Sequence, residues 1–250
     1  EIYRREEVFG EAYEAVAYSS YAVLVFGLVC DKVAGVEMMT LWQLTFLSTS
    51  NIRKTQPLLF SLRQARMVNG YDFPVSTDTA GLPESVRVLG YSSELVGNVN
   101  ISLAVVLFDL LLGLALHLAS LPVSQHRQRL RQWAQKLLKE YFVMLCGFYA
   151  AHFSFCLGLY IVHTPVSPQY AALNVICAVL CVVLPLSAVV LLQVAQQDGF
   201  GEFLSHFRDV DRPRRQHYSL HVAFKFVAGL LLTVLHLPET KSGTFRSGHF

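Results

Sequence analysis

Apolar residues in this chain of 250 amino acids are gathered into six long runs, separated by shorter polar segments. About 20 apolar residues are enough for an α-helix to cross the roughly 30 Å hydrocarbon core of a bilayer. The pattern therefore predicts an all-α fold, a polytopic transmembrane helical bundle that forms one domain over residues 1–250. The predicted spans are 13–30, 33–52, 96–121, 141–162, 170–194 and 217–237.

The second and fourth runs differ from the others in composition. The second contains Glu37 and Gln43, so that a re-entrant segment is an alternative to a full crossing there. The fourth is dense in small residues, which let helix backbones approach closely in membranes. We therefore expect the fourth span to be a closely packed helix inside the bundle. Its small residues are Gly147, Ala150, Ala151, Ser154 and Gly158.

Two basic segments, 125–140 and 199–215, separate pairs of predicted spans. Lys and Arg concentrate in the cytoplasmic loops of membrane proteins. Counting the spans puts both segments on the same side, so we expect both to be cytoplasmic and the loop 53–95 to be non-cytoplasmic. The basic residues of the two segments are Arg127, Arg129, Arg131, Lys136, Lys139, Arg208, Arg212, Arg214 and Arg215.

Each basic segment also has apolar residues at helical spacing, which predicts two interfacial amphipathic helices. In the first, a helix would place one apolar face opposite the arginines and lysines, with Trp133 at the membrane surface. The basic side chains would then reach anionic headgroups. A linker helix that packs on a protein partner is the alternative. The apolar positions are Leu130, Trp133, Leu137, Leu138 and Tyr141, and in the second segment Phe200, Phe203, Leu204 and Phe207.

Two charged residues lie deep in predicted spans. Asp109 is near the middle of the third span, and Lys225 reaches a comparable depth in the sixth. A charge at the bilayer centre costs roughly 2.5–3.5 kcal/mol on insertion scales, and pairing is the usual remedy. We therefore expect Asp109 and Lys225 to face each other or a shared hydrated cavity. The pair would be either a structural bridge or part of a proton or cation pathway.

Composition agrees with a multi-pass membrane protein. Hydrophobic residues make up 53% of the chain and charged residues 15%, with a mean hydropathy of +0.42, against roughly 25% charged in ordinary soluble domains. The net charge of +2 is too small to indicate nucleic-acid binding. The expected partners are therefore the bilayer, anionic lipids, and other membrane-protein subunits or further copies of this chain.

The sequence has no motif that indicates catalysis. It contains no Gly-rich phosphate loop, nucleophile elbow, HExxH motif or catalytic carboxylate pair, so we expect no enzymatic activity. All five cysteines lie in apolar runs, with neither zinc-ligand spacing nor a disulfide framework, and we expect no metal and no cofactor. Haem is an alternative, because membrane cytochromes bind it through imidazoles on adjacent helices. The histidines in or near spans are His117, His152, His163, His221 and His236.

Short motifs along the chain suggest a family. Leu41-Trp42-Gln43-Leu44 is followed by Gln56-Pro57-Leu58-Leu59-Phe60-Ser61-Leu62, and Gly90-Tyr91 with Asn98-Val99-Asn100 opens the third span. Together with the basic helix and the segment entering the last span, they resemble TRP-like and polycystin-related membrane regions of fungi and protists, over residues 40–235. The resemblance implies a cation-channel-like module, or a sensory or anchoring one. The chain departs from this family in having no recognisable selectivity-filter loop between the last two spans.

Two other functions remain open at this point. One is a non-catalytic, lipid-embedded accessory subunit of a large membrane complex, and the other is a haem-binding membrane redox protein. A channel needs a continuous polar pore. An accessory subunit needs apolar faces that other proteins cover, and a cytochrome needs paired imidazoles near metal-ligand distance.

Overall fold

A computed structural model describes residues 81–83, 86–87, 90–121, 125–163, 168–194 and 213–235. Within these ranges the chain is all-helical and contains no strand. The predicted spans 13–30 and 33–52 lie outside the described residues, as do most of the loop 53–95 and positions 199–212. The helices are α1 (Leu95–Ala119), α2 (Gln125–Gln135), α3 (Phe142–Val162), α4 (Ala171–Val194) and α5 (Pro213–Leu235), with a π-helical segment at Lys136–Tyr141 and a 3-10 turn at Pro168–Tyr170.

The described helices agree with the last four predicted apolar runs. Three of them are long and apolar enough to cross a membrane, namely Leu95–Ala119, Arg127–Val162 and Ala171–Val194, and α5 adds a shorter apolar stretch at Tyr218–Val234. Pro185 lies inside α4 without ending it, as membrane helices tolerate when neighbouring groups satisfy the backbone. The prediction of long apolar helices is therefore confirmed in this part of the chain.

The first basic segment differs from its prediction as a separate interfacial helix. Helix α2, the π segment and α3 form one continuous helix, and the stretch Arg127–Val162, 36 residues long, contains a window apolar enough to cross a membrane. Gly113 of α1 lies against Leu137 and Leu138, so the π segment packs beside α1. The physical reason is that no Gly or Pro occurs between Gln125 and Cys146, so nothing ends the helix. Residues 125–141 therefore continue into α3 and do not form a separate helix, while their placement at the membrane surface stays a prediction.

Helix α3 lies at the centre of the bundle. Most of its apolar window is buried, 89%, against 33% for the windows of α1 and α4. It packs on α5, α4 and α1, and its most extensive partner is α5. Helices α1 and α4 also contact each other, whereas α1 and α5 are not among the extensive pairs of the described part. The prediction that the fourth span packs inside the bundle is confirmed.

The helix directions follow from specific contacts. Gly147 of α3 lies beside Tyr218 and Val222, and Gly158 lies beside Thr233, so α3 and α5 run parallel. Antiparallel packing of α1 and α3 brings Asn98 to His152 and Gly113 to Leu138. The starts of α1 and α4 lie at the same end of the bundle, where Val96 bonds to Asn174.

Small residues bring α3 and α5 into backbone contact. A Cβ placed on Gly229 would overlap the carbonyl oxygen of Ala151 and the hydroxyl of Ser154. One turn later, the Thr233 hydroxyl donates to the carbonyl of Phe155 or of Gly229, each at 3.2 Å. Close approach and interhelical hydrogen bonds are what hold helices together in lipid, where the hydrophobic effect does not distinguish one helix from a lipid tail.

Candidate functional site

Buried polar residues collect where the starts of α1 and α4 meet the C-terminal half of α3. We call this the end cluster, and it consists of Glu94, Asn98, His152 and Asn174, each with 1% exposure or less. Buried polar groups persist when they are hydrogen-bonded. The bonds of the end cluster therefore show what holds this end of the bundle together.

Asn174 joins two helices. Its Oδ1 accepts a hydrogen bond from the Val96 N–H at 2.9 Å, and its Nδ2 donates to Oε2 of Glu94. The first N–H groups of a helix have no partner within the helix, so α4 caps the start of α1. The other carboxylate oxygen of Glu94, Oε1, has no hydrogen-bond partner among the described residues.

Asn98 ties the loop before α1 to α3. Its Oδ1 accepts from the Ser92 N–H and its Nδ2 donates to the Ser92 carbonyl, both at 2.8 Å. His152 Nε2 lies 3.0 Å from the Asn98 carbonyl, and a carbonyl only accepts, so this nitrogen carries the proton. The other ring nitrogen, Nδ1, then faces Sγ of Cys156 at 3.8 Å as an acceptor. His152 is thus engaged in helix packing.

The geometry bears directly on the haem alternative. Nε2 of His152 is bonded to backbone, and a haem ligand would have to break that bond. Within the described residues, no group of three or more His, Cys, Asp or Glu side chains is arranged to hold a metal ion. The four cysteines of this part, Cys146, Cys156, Cys177 and Cys181, are buried free thiols.

Asp109 lies on the face of α1 that meets α3 and the π segment. Its exposure is 8%, and its Oδ2 has no hydrogen-bond partner in the part of the chain that the structure describes. One turn further along α1, the side chain of Leu138 lies against Gly113. The sequence prediction of a buried intramembrane carboxylate is consistent with this position.

Lys225 is buried on α5 with 1% exposure, but the structure does not bring it to Asp109. No ion pair joins the two among the described residues, and they lie on helices that pack on different parts of α3. Gly158 beside Thr233 fixes the register of α5, and Gly113 beside Leu138 fixes that of α1. At 1.5 Å per residue, the two charges are about 12 Å apart along α3. The described residues therefore show no direct ion pair between Asp109 and Lys225, and a shared hydrated cavity stays a prediction.

The basic surface is described only in part. Arg129 and Arg131 are exposed and Arg127 is partly exposed. Trp133 is 55% exposed, with Nζ of Lys136 at 5.7 Å from its ring centroid, and Lys139 is half-buried. Arg214 and Arg215 lie in the first turn of α5, but their side chains are outside the described residues. Arg208 and Arg212 are outside them altogether.

Sequence reasoning missed the end cluster. Glu94 and Asn174 stand at the edges of apolar runs, where polar residues usually mark the membrane boundary. One signal in the sequence could have indicated this cluster. Asn174, one turn into the fifth apolar run, is the one strongly polar residue between Ala171 and Pro185.

Comparisons with known proteins give no relative for this chain. No family model matches it. Neither the comparison with curated proteins nor that with solved structures finds a match.

Proposed function

We propose that this chain is a multi-pass membrane module that anchors a larger assembly in the bilayer, or senses for it, without catalytic activity. This is the sensory or anchoring role implied by the resemblance to TRP-like and polycystin-related regions. It also includes the alternative of a lipid-embedded accessory subunit. The proposal takes all six apolar runs as spans, with both basic segments on the cytoplasmic side.

One observation supports this proposal above the others: α3 is buried between three helices whose outward faces are apolar. Large side chains are exposed along α1, α4 and α5 at helical spacing, and a soluble protein rarely exposes contiguous apolar surface of this extent. Lipid or other membrane proteins would cover these faces. They include Phe108, Leu111, Leu118, Val175, Val179, Leu186, Leu220, Phe224 and Leu231.

Packing within the bundle favours anchoring over conduction through a single copy. Helix α3 occupies the centre, and the backbones of α3 and α5 touch at Gly229 and Ala151. An ion pathway would need a continuous polar passage, and buried apolar side chains of α3 fill the interior at Phe148, Phe153 and Phe155. The described helices therefore leave no room for a polar passage along their shared interior.

Topology labelling tests the membrane placement. Gln128 and Gln169 are exposed positions at opposite ends of the α2–α3 helix, and a cysteine at each can be labelled with a membrane-impermeant maleimide in sealed vesicles. The four native cysteines of the described part are buried, and the chain without an added cysteine gives the background level of labelling. We expect Gln128→Cys and Gln169→Cys to label from opposite sides. Labelling of both from one side would refute the crossing by α3.

A flux assay separates anchoring from conduction. The purified full chain in liposomes is expected to give no cation flux above that of empty liposomes. Native mass spectrometry of the protein extracted from its own membrane is expected to show it bound to other membrane subunits. Sustained cation flux through the chain alone would refute the anchoring proposal and favour the channel.

A further inference from the structure

Asp109 is buried in the apolar part of a span, far from both ends of α1. Helix α1 runs from Leu95 to Ala119, so neither end contributes a compensating partial charge, because the effect of a helix terminus falls off within one turn. Isolated ionised carboxylates are very costly in apolar surroundings unless they are neutralised. One oxygen, Oδ2, has no hydrogen-bond partner among the described residues. The carboxylate therefore lacks the compensation that it needs.

The helix opposite Asp109 departs from regular α-geometry. The π segment Lys136–Tyr141 packs on α1, and Leu138 touches Gly113, one turn from Asp109. At the end of the segment the Phe142 N–H bonds to the carbonyls of Leu137 and Lys139. A regular helix would send that N–H to Leu138. Single π turns inside α-helices occur frequently at functional sites.

We propose that Asp109 and the π segment opposite it form a binding site for a monovalent cation, either a proton or a sodium ion. The buried Oδ2 supplies the charge, and the π segment that packs on α1 supplies irregular backbone, whose carbonyls we infer to be the neutral oxygen ligands. A proton and a sodium ion would each neutralise the charge on the Asp109 carboxylate, so the proposed site is the same for either ion. The site goes beyond the anchoring role, and it needs only that α1 and α3 lie in the bilayer.

Within the described ranges, few other titratable groups lie near Asp109. On the continuous helix they are Glu140, which is buried, and Tyr141 and Cys146. On α4 the register of the Val96–Asn174 bond puts Ser187, which does not titrate, at the same level. The lysines of the π segment, Lys136 and Lys139, form no ion pair with Asp109 in the described part of the chain. A pH response measured in this region must therefore be distinguished from a response of Glu140, and a Glu140 variant serves as the control.

Carbodiimide labelling tests the site directly. Dicyclohexylcarbodiimide modifies protonated carboxyl groups in apolar surroundings, and peptide mass spectrometry locates the adduct. The full chain in nanodiscs is treated over a pH series, in sodium chloride or in choline chloride of equal ionic strength. We expect an adduct on Asp109 whose formation falls about tenfold for each pH unit above the midpoint of protonation. Asp109→Asn abolishes it, and Glu140→Gln leaves it in place.

The sodium arm identifies the occupant. Strong suppression of the adduct by sodium, with a thermal midpoint that rises with sodium in the native chain but not in Asp109→Asn, supports a sodium site. Equal labelling in both salts, with the pH dependence intact, supports a proton site.

The proposal is overturned if correctly folded protein forms no adduct on Asp109 at any pH. It is also overturned if labelling depends on neither pH nor sodium. Infrared difference spectra of the native chain against Asp109→Asn give a second readout, the carbonyl band of a protonated carboxyl group. The maleimide experiment on α3 reports separately on membrane placement, so the two proposals can fail independently.

Discussion

Gly229 offers the sharpest test of how the bundle is held together. A methyl group at this position would overlap the backbone carbonyl of Ala151, as well as the Ser154 hydroxyl. A side chain can rotate away, but the Ala151 carbonyl belongs to the central helix and moves only if α3 and α5 separate. Overpacking in a well-packed core costs typically 1–3 kcal/mol. Alanine has a higher helix propensity than glycine by up to about 1 kcal/mol, and this gain offsets part of the cost of the overlap.

Because the overlapped atom is backbone, we take the upper end of this range, about 3 kcal/mol; less the propensity gain, Gly229→Ala should destabilise the bundle by about 2 kcal/mol. Gly113→Ala is the matched control, since its added methyl would meet only side-chain atoms, Leu138 Cδ2 and Cγ at 2.9 Å and Leu137 Cβ at 3.1 Å. Side chains can shift more easily than a helix backbone, so its expected cost is under about 1 kcal/mol. Thermal melting in detergent, followed by a thiol-reactive dye, reads out exposure of the four buried cysteines. If 1 kcal/mol shifts the midpoint by roughly 2–4 °C, Gly229→Ala should melt roughly 4–8 °C below the native protein. Equal melting of the two variants would show that α3 and α5 are not in backbone contact.

Three further predictions use the same melting assay or a lipid assay. Asn174→Leu removes the acceptor for the Val96 N–H and the donor to Glu94. It should cost about 2–4 kcal/mol, because each orphaned buried group costs about 1–3 kcal/mol. A near-native melting midpoint would exclude the bridge. Replacing Arg127, Arg129 and Arg131 by Gln should weaken flotation with anionic vesicles but not with neutral ones, since each basic residue contributes about 1 kcal/mol near an anionic surface. Burial lowers the pKa of His163 below its usual 6.5, against the opposing effect of its bond to the Gly81 backbone. Below this pH the unfolded chain binds more protons than the folded one. The contribution of His163 to stability is therefore present above pH 6.5 and is lost as the pH falls below it. In thermal melts above and below pH 6.5, His163→Gln should reduce that loss.

The central position of α3 could be predicted because its signal is local. Glycines, alanines and a serine within one apolar run, at Gly147, Ala151, Ser154 and Gly158, have little reason to face lipid. The partner side of the same interface was not predicted. On α5 the closest contacts are made at Gly229 and Thr233, which stand among larger residues. Only the register of the two helices shows that they match the small residues of α3.

Register also explains why Asp109 and Lys225 form no direct ion pair among the described residues. Depth counted from the end of an apolar run assumes that every span begins at the same membrane level. The contact of Gly229 with Ala151 sets the actual level of α5, and it moves Lys225 towards the end of the bundle where Asn98 and His152 lie. The continuity of the first basic segment with α3 was missed for another reason. Its periodicity correctly indicated a helix, but periodicity contains no information on whether a helix stops before the next one starts.

Two carboxylate oxygens in the described part, one on Glu94 and one on Asp109, are buried without a hydrogen-bond partner, yet only Asp109 calls for a cation. Glu94 lies where α1 and α4 both begin, and the partial positive charge of a helix N-terminus favours an anion there. Its other oxygen accepts a bond from Asn174. Asp109 has no helix terminus within a turn. A cation at Glu94 would compete with the two helix dipoles, whereas a cation at Asp109 meets no helix N-terminus. The sodium or proton response should therefore survive Glu94→Gln and disappear with Asp109→Asn, and the reverse result would move the site to the end cluster.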